Sequence, residues 1–416
     1  MIDLKIIFIW GVSFIYMYIV IFWLIVLFDK GIKPKKEKLK SFPLVTIAIP
    51  AYNEEKTIEK TLKSALGLDY PKDKMEIIVV NDGSKDNTRN IVLNFIKKHK
   101  DYNIILINQK NSGKGSAMNN ALSRSKGEFF ISLDSDSFIK KNALRVMLPK
   151  FEDKKVASVL PLMKVYNPRN FIERIQWVEY LINVFYKLIL TSLNCIHVTP
   201  GPFPIYRTEI LRKIGGYDEK NLTEDMEICL RLQKHNYKIV QSMDTTVYTI
   251  SPDTFGKLYK QRNRWYKGTL LNLYRYKWLI GNRNYGDFGV FQMPTVLISG
   301  FLTVVAFSFV FYNFIISPLL RKIYDLYSVD FNLIVDFSNV NKLTFLGLNY
   351  TNMFFALVSF ILVVLILFLA YKYTKEKIFS RHFLAIPLYV ILYSGIIAIM
   401  WIGVYFDLIF RRMQKW

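Results

Sequence analysis

The apolar positions of this chain follow different rhythms in different stretches. Residues 6–28 form an apolar run without a charged side chain. At about 1.5 Å per helical residue, such a run is long enough to cross a hydrocarbon core of ~30 Å. Three more apolar stretches lie toward the C-terminus: one span within 290–320, a second at 353–370 and a third at 383–410. Between Lys30 and Asn284 the rhythm changes, and short β-branched runs alternate with helical patterns. Strands are predicted at 45–50, 76–81, 104–108 and 129–133, and helices at 55–66, 87–98 and 114–123. Near-continuous apolar strands alternating with helices predict an α/β domain with a parallel sheet covered on both faces. Stretch 169–190 interleaves charged and apolar residues with Trp177, Tyr180, Phe185 and Tyr186. That pattern suits an amphipathic helix on a bilayer surface or a helix packed on the domain core. Stretch 270–280 carries the same two readings.

Charge gives the membrane layout a direction. The 56 Lys and Arg against 33 Asp and Glu leave a formal net charge of +23, which suits anionic headgroups or anionic substrates. Nucleic acid would also suit that charge, but not together with the apolar runs, so no nucleic-acid partner is expected. Lys33, Lys35, Lys36, Lys38 and Lys40 follow the first run directly. They place the N-terminus outside and the middle domain in the cytoplasm. Four simple crossings would return the C-terminus to the outside, yet the chain closes on the basic cluster 411–416. Either the positive-inside rule fails or one apolar stretch lies flat or re-enters, with 337–349 a candidate for such a piece. The expected organisation is an N-terminal transmembrane helix (1–30), a catalytic domain with interfacial helices (41–285) and a C-terminal transmembrane region of about three spans (286–416). Cys195 and Cys229, the only two cysteines, exclude a disulfide scaffold and a zinc-type spacing. They are expected to be buried small hydrophobes.

Ligands of a parallel sheet bind beyond the carboxyl ends of its strands, so the polar residues there matter most. After the first strand comes Pro50-Ala51-Tyr52-Asn53-Glu54, and after the second Asn81-Asp82-Gly83-Ser84. After the third comes Gly113-Lys114-Gly115-Ser116, and after the fourth Asp134-Ser135-Asp136. One acidic turn after a strand is ordinary; four in register converge on a crevice. Asp134 and Asp136 offer hard oxygen ligands for Mg²⁺ or Mn²⁺, with substrate phosphates completing the shell. Lys114 offers charge between two glycines, and Asp82 can accept hydrogen bonds from a base or ribose. The set describes a nucleoside diphosphate with a metal, and no Walker-type or dinucleotide-binding glycine loop is present. Downstream lie Thr223-Glu224-Asp225 and Gln261-Arg262-Asn263-Arg264-Trp265. A helix cap is the plain alternative for the first, and a basic surface helix for the second.

With these motifs the chain resembles membrane-embedded family 2 glycosyltransferases of the processive synthase type, the group of cellulose, chitin, hyaluronan and poly-N-acetylglucosamine synthases. The motifs run from Pro43 to Gly268, in the family's order: Asp82, Asp134-Ser135-Asp136, Thr223-Glu224-Asp225 and the Q-x-x-R-W at Gln261 to Trp265. The resemblance implies a GT-A (Rossmann-like) domain with transmembrane helices at the plasma membrane, facing the cytoplasm. Tyr52, Glu54, Asp82 and Lys114 would hold the nucleobase and ribose, and Asp134 and Asp136 the nucleotide and metal. Asp225 would be the general base, Gln261 and Arg264 would clamp the diphosphate, and Trp265 would lie under the acceptor sugar. Gly201-Pro202-Phe203 is a looser match to an acceptor-channel segment. The implied reaction is inverting transfer from a UDP-sugar, with N-acetylglucosamine favoured, to a growing polysaccharide. The alternative is a single transfer to a polyprenyl phosphate or other lipid-linked acceptor. Asn81 departs from the family's pattern, standing where many members have a second Asp. One N-terminal span is present where several relatives have two.

Overall fold

The computed structural model describes residues 4–30, 39–328, 350–377 and 383–410. The basic run Lys33 to Lys38, the candidate re-entrant piece 337–349 and the closing cluster 411–416 lie outside the described residues. The chain enters through helix α1 (Leu4–Lys30) and then alternates strand and helix. The elements are β1 (Val45–Ala51), α2 (Ile58–Leu66), β2 (Met75–Asp82), α3 (Thr88–Lys98), β3 (Asn103–Gln109), α4 (Lys114–Arg124) and β4 (Phe129–Ser132). These follow the predicted segments to within about three residues. The second half is less regular: β5 (Ser137–Ile139), α5 (Ala143–Met147), β6 (Val156–Val165), α6 (Phe171–Ser192), β7 (Ile205–Arg207), α7 (Thr208–Lys213), α8 (Glu224–Lys234), β8 (Lys238–Thr249) and α9 (Phe255–Arg275).

All eight strands form one sheet in the order β3-β2-β1-β4-β7-β6-β8-β5. The parallel expectation holds for β3-β2-β1-β4. It fails beyond them, because β7 runs antiparallel to both β4 and β6, and β5 antiparallel to β8. The sheet is therefore mixed, with its parallel half carrying the polar strand ends. Alternate residues of each central strand feed opposite cores. On one face Val45, Ile47 and Ile49 pack with Ile58 and Leu62 of α2, Val92 and Phe95 of α3 and Leu144 of α5. On the other, Ala48, Ile78 and Val80 meet Met118 of α4, Ile228 of α8 and Leu273 of α9. Burying each such aliphatic side chain contributes about 1.5–3 kcal/mol, so the strand ends are held on a rigid frame.

Helix α6 begins with a capping box, in which Asn170 accepts from the Glu173 N–H while the Glu173 carboxylate accepts from the Asn170 N–H. It does not lie free on a surface: Trp177, Val178, Leu181, Phe185 and Ile189 are all buried. It packs between the sheet and the apolar helices α1, α12 (Tyr350–Thr374) and α13 (Ala385–Ile409), which are joined by a further apolar helix, α10 (Met293–Phe311). A further helix, α11 (Ser317–Ser328), follows α10 through a π-helical turn. Among the described residues, four helices are long and apolar enough to cross a membrane: Ile6–Asp29, Phe288–Phe311, Met353–Thr374 and Ala385–Ile409. Contacts Phe8–Phe309 and Phe22–Phe291 make α1 and α10 antiparallel neighbours. Helix α13 differs from the others, since both of its ends meet domain elements. Ala385 packs with Trp177 of α6, whereas Asp407 accepts from Lys267 (2.9 Å) and Asn263 (3.0 Å) of α9.

Candidate active site

The predicted polar strand ends do converge. Tyr52, Glu54, Asp82, Lys114, Asp134, Asp136 and Arg264 line one cavity of about 310 Å³ above the carboxyl ends of β1, β2 and β4. Tyr52 is exposed at the rim, and the backbone turns at Asn53, which has φ +56. Asp82 is buried and its oxygens are already engaged. It accepts from Gln109 Nε2 (2.8 Å), Ser112 N (2.9 Å) and Gly113 N (2.9 Å). It thereby shapes the turn that delivers Lys114 to the start of α4.

Lys114 is the hub. Its Nζ lies 2.7 Å from Asp134 Oδ1 and 3.2 Å from Glu224 Oε1. Burial works against its charge, yet the Asp134 and Glu224 carboxylates outweigh that and hold the ammonium above its ordinary range. Gly201 permits this packing. A Cβ there would sit 2.4 Å from Lys114 Nζ and 2.6 Å from Asp134 Oδ2, so the 199–203 loop presses its backbone onto the pair.

Burial first, then the charges of Asp134 and Glu54, push Asp136 up to about 7. Burial and Asp134 also raise Glu54. This acidic crowding with one cation nearby is a donor set that a divalent ion would relieve, so the residues present fit a Mg²⁺ or Mn²⁺ ion. Among the described residues no group of three or more His, Cys, Asp or Glu is arranged to hold an ion alone. Asp134 and Asp136 would therefore share it with substrate oxygens.

Asp225 does not line the cavity but stands behind Lys114, in the first turn of α8. Burial and the adjacent Glu224 raise its carboxyl to about 6, while Lys114 and Arg264 pull it back. Glu224 itself is lowered: burial opposes its charge, but Lys114 and Arg264 win. Helix α9 clamps this turn. Arg264 Nη1 donates to Leu222 O (3.1 Å), Asn272 Nδ2 to Thr223 Oγ1 (3.0 Å), and Asn221 Nδ2 to Asn272 Oδ1 (2.7 Å). A Cβ on Gly268 would lie 2.4 Å from Thr223 Oγ1, so α9 approaches as closely as a glycine allows.

Gln261 and Trp265 do not line the cavity. Gln261 Oε1 is buried without a hydrogen-bond partner. Trp265 is half-buried and carries the Arg262 guanidinium 4.2 Å over its ring. Arg262 is itself buried and pairs with Glu179 of α6 at 2.5 Å.

Residues 46–215 match the family model Glycosyl transferase family 2. In that stretch the chain is similar to family 2 glycosyltransferases. It is 32% identical over 249 residues to "Probable glycosyltransferase YdaM" of Bacillus subtilis (strain 168), covering 58% of this chain and 59% of that protein. It is 30% identical over 226 residues to the poly-beta-1,6-N-acetyl-D-glucosamine synthase of Staphylococcus epidermidis, covering 54% of each. The chain thus spans a little over half the length of these curated relatives. Among solved structures it resembles the mannosyltransferase PcManGT from Pyrobaculum calidifontis, determined with GDP-Man and Mn²⁺. The TM-score is 0.57 at 22% identity, over 72% of this chain and 79% of that one. That likeness shows the fold, a GT-A-like mixed sheet with helices.

Several residues around the site escaped sequence reasoning. Thr223-Glu224-Asp225 and the Q-x-x-R-W stretch lie outside the residues matched to the family model, and the structure adds Gly268, Asn272 and Asn221 to them. A glycine within an otherwise regular helix, three residues after Trp265, was the available signal of close approach. Nothing in the sequence indicated that Asn272 reaches back to Thr223. Cys195 and Cys229 are buried and not joined in a disulfide.

Proposed function

We propose that this chain is an inverting membrane glycosyltransferase that moves a sugar from a nucleoside diphosphate donor to a growing polysaccharide, in successive rounds. UDP-N-acetylglucosamine is the favoured donor, supported by the poly-N-acetylglucosamine synthases among its relatives. The observation that carries the proposal is Lys114. One ammonium touches Asp134 on the donor side and Glu224 beside Asp225, so donor pocket and base belong to one charge network.

Above about pH 6 Asp225 is ionised and takes the proton of an acceptor hydroxyl. The hydroxyl oxygen attacks the anomeric carbon as the bond to the diphosphate oxygen breaks on the opposite face. The bonding pair leaves with the nucleoside diphosphate. Arg264 and Lys114 line the cavity where that charge grows and stabilise it there. Asp134 and Asp136 would hold Mg²⁺ or Mn²⁺, which when bound supplies neutralising charge to the diphosphate. Tyr52, Glu54 and Asp82 form the nucleoside end, with Asp82 acting through the turn it organises. Gln261 helps hold the diphosphate, and the Trp265 ring stacks on the acceptor sugar.

The domain between 41 and 285 works on the cytoplasmic face of the plasma membrane, with 1–30 and 286–416 as membrane segments. Helix α13, tied to α6 at one end and α9 at the other, lies along the boundary between domain and bilayer.

The test uses the purified protein in lipid nanodiscs with Mg²⁺ or Mn²⁺ and a panel of nucleotide sugars. Release of nucleoside diphosphate together with product that lengthens over time is expected. No release from any donor refutes the function, and a product of one added sugar on a lipid refutes the polymerising part.

A further inference from the structure

The apolar helix Phe288–Phe311 begins on a π-helical turn, Phe288–Gln292. The hydroxyls of Thr295, Ser299 and Thr303 stay within this segment, donating to the carbonyls of Phe291 (2.7 Å), Val296 (3.0 Å) and Ser299 (2.8 Å). Gln292 does the opposite. It is fully buried, and both ends of its amide reach out to the catalytic domain. Its Oε1 accepts from the Tyr186 hydroxyl of α6 (3.1 Å), and its Nε2 lies 3.0 Å from His197 Nδ1. An amide nitrogen donates and cannot accept, so Nδ1 is the unprotonated ring nitrogen. Desolvation, with Lys187 adding, holds His197 down to about 4, which keeps the ring neutral at physiological pH and Nδ1 able to accept.

His197 belongs to the loop 193–204 between α6 and β7, and that loop is bound to α8. Ile196 O accepts from Cys229 Sγ (3.2 Å) and Gln233 Nε2 (2.9 Å), and Asn194 O also accepts from Gln233 Nε2 (2.9 Å). Two residues after His197, Thr199 N (3.3 Å) and Oγ1 (2.8 Å) both donate to Asp225 O. Loop and helix therefore form one unit, which carries Asp225 at its N-terminal end. Helix α1 packs on the other side of the joint. The rings of Trp23 and Tyr186 lie 4.5 Å apart, as do those of Phe22 and Phe291.

Phe288 and Met293 already give this joint apolar contact with the core around Ile228. Such contact is non-directional. If packing were all the joint required, a Leu at 292 would supply it without a buried amide to satisfy. A hydrogen bond adds direction and distance. We propose that Gln292 is a positioning residue for transfer, which through His197 holds the loop, and with it Asp225, in register with the membrane span. This rests on the glycosyl-transfer function proposed above, in which Asp225 is the base. A base must meet the attacking hydroxyl within a fraction of an ångström, and small misplacements are costly in rate.

The experiment uses the full chain in lipid nanodiscs with Mg²⁺, UDP-N-acetylglucosamine and short N-acetylglucosamine oligomers. It compares the parent with Gln292→Leu, His197→Leu, His197→Asn and the double variant Gln292→Leu/His197→Leu. Gln292→Leu and His197→Leu should each lower kcat by about tenfold to a hundredfold, the effect of moving a reacting group by up to ~1 Å. UDP affinity, read by calorimetry, should stay within about threefold of the parent, the split expected of a group that acts on transfer and not on donor binding. His197→Asn should keep most of the rate, because its Oδ1 is bonded to Cγ as Nδ1 is and can accept from Gln292. The double variant should be no slower than either single variant, since both remove the same contact. A parental kcat in His197→Leu overturns the assignment. So do losses that multiply in the double variant, or an equal loss in His197→Asn. UDP affinity that falls in step with kcat overturns it as well, and would mark Gln292 as general support of the fold. Should Gln292→Leu fail to fold, the two His197 variants read the same contact. A parent that releases nothing from any nucleotide sugar overturns the proposed function itself.

Discussion

Gly268→Ala tests whether α9 positions the catalytic base. The new Cβ would meet Thr223 at 2.4 Å (Oγ1), 2.5 Å (Cγ2) and 3.0 Å (Cβ). Ordinary contact between such atoms begins near 3.5 Å, so Thr223 or α9 must retreat by about 1 Å. Thr223 cannot turn away freely, because Asn272 holds its hydroxyl and Arg264 holds the carbonyl before it. Overpacking of this kind costs about 1–3 kcal/mol of stability, which a well-buried frame tolerates. Asp225 lies two residues further on, and a 1 Å misplacement of a reacting group costs about 10²-fold in rate. The expected outcome is a folded protein with donor affinity within a few-fold of the parent and transfer reduced by roughly 10²-fold. Affinity is read by calorimetry with UDP, and transfer by UDP release with an acceptor present. Adding Thr223→Ala removes Oγ1 and Cγ2 and leaves only the 3.0 Å contact, so the double variant should regain part of the rate. Transfer at the parental rate in Gly268→Ala would show that the α9 contact does not govern the base. Equal loss of UDP binding and transfer would show that the substitution disturbs the whole site.

The charge network supports three more outcomes. Asp225 binds its proton near pH 6, so kcat/KM should fall about tenfold per pH unit below that value. Asp225→Asn should abolish that limb and slow transfer by about 10²–10⁴-fold while UDP still binds; a parental rate would return Asp225 to a helix-capping role. Asp136→Ala should remove nearly all transfer and the response to Mg²⁺ or Mn²⁺ titration, and parental activity in excess chelator would refute the metal assignment. Trp265→Ala should keep donor binding and donor hydrolysis but yield little polymer, with Trp265→Phe retaining part. Normal chain lengths on a sizing gel would leave Trp265 as a packing partner of Arg262.

How far the site could be seen beforehand depended on how local its causes were. β1, β2, β3 and β4 are apolar runs followed at once by polar turns, and their order in the chain already implies one crevice. Each of those residues owes its place to its own strand. The remaining features depend on distant segments meeting. β6 contains Pro161, and its register with β8 shifts there, so its pattern reads poorly as a strand. β7 has three residues, too few for any periodicity. Arg262 and Arg264 are two residues apart in one basic motif, yet they point to different tasks. One is buried against Glu179 of α6, and the other reaches Leu222 and the donor cavity. Spacing along α9 separates their faces, but only the placement of α6 and α8 on either side assigns them. The same holds for α13. Its composition is that of a crossing helix, and its sequence cannot reveal that Asp407 is answered by Lys267. A carboxylate near the end of an apolar helix is costly in lipid unless paired, so Asp407 was the one residue in that stretch to suggest a protein partner. Helix α9 is thus fastened on two sides, to the base-bearing turn through Gly268 and Asn272 and to α13 through Asn263 and Lys267. For the polymer acceptor proposed above, register is kept on each advance when the helix carrying Arg264 and Trp265 stays fixed while the sugar moves. Fastening on both sides meets that requirement.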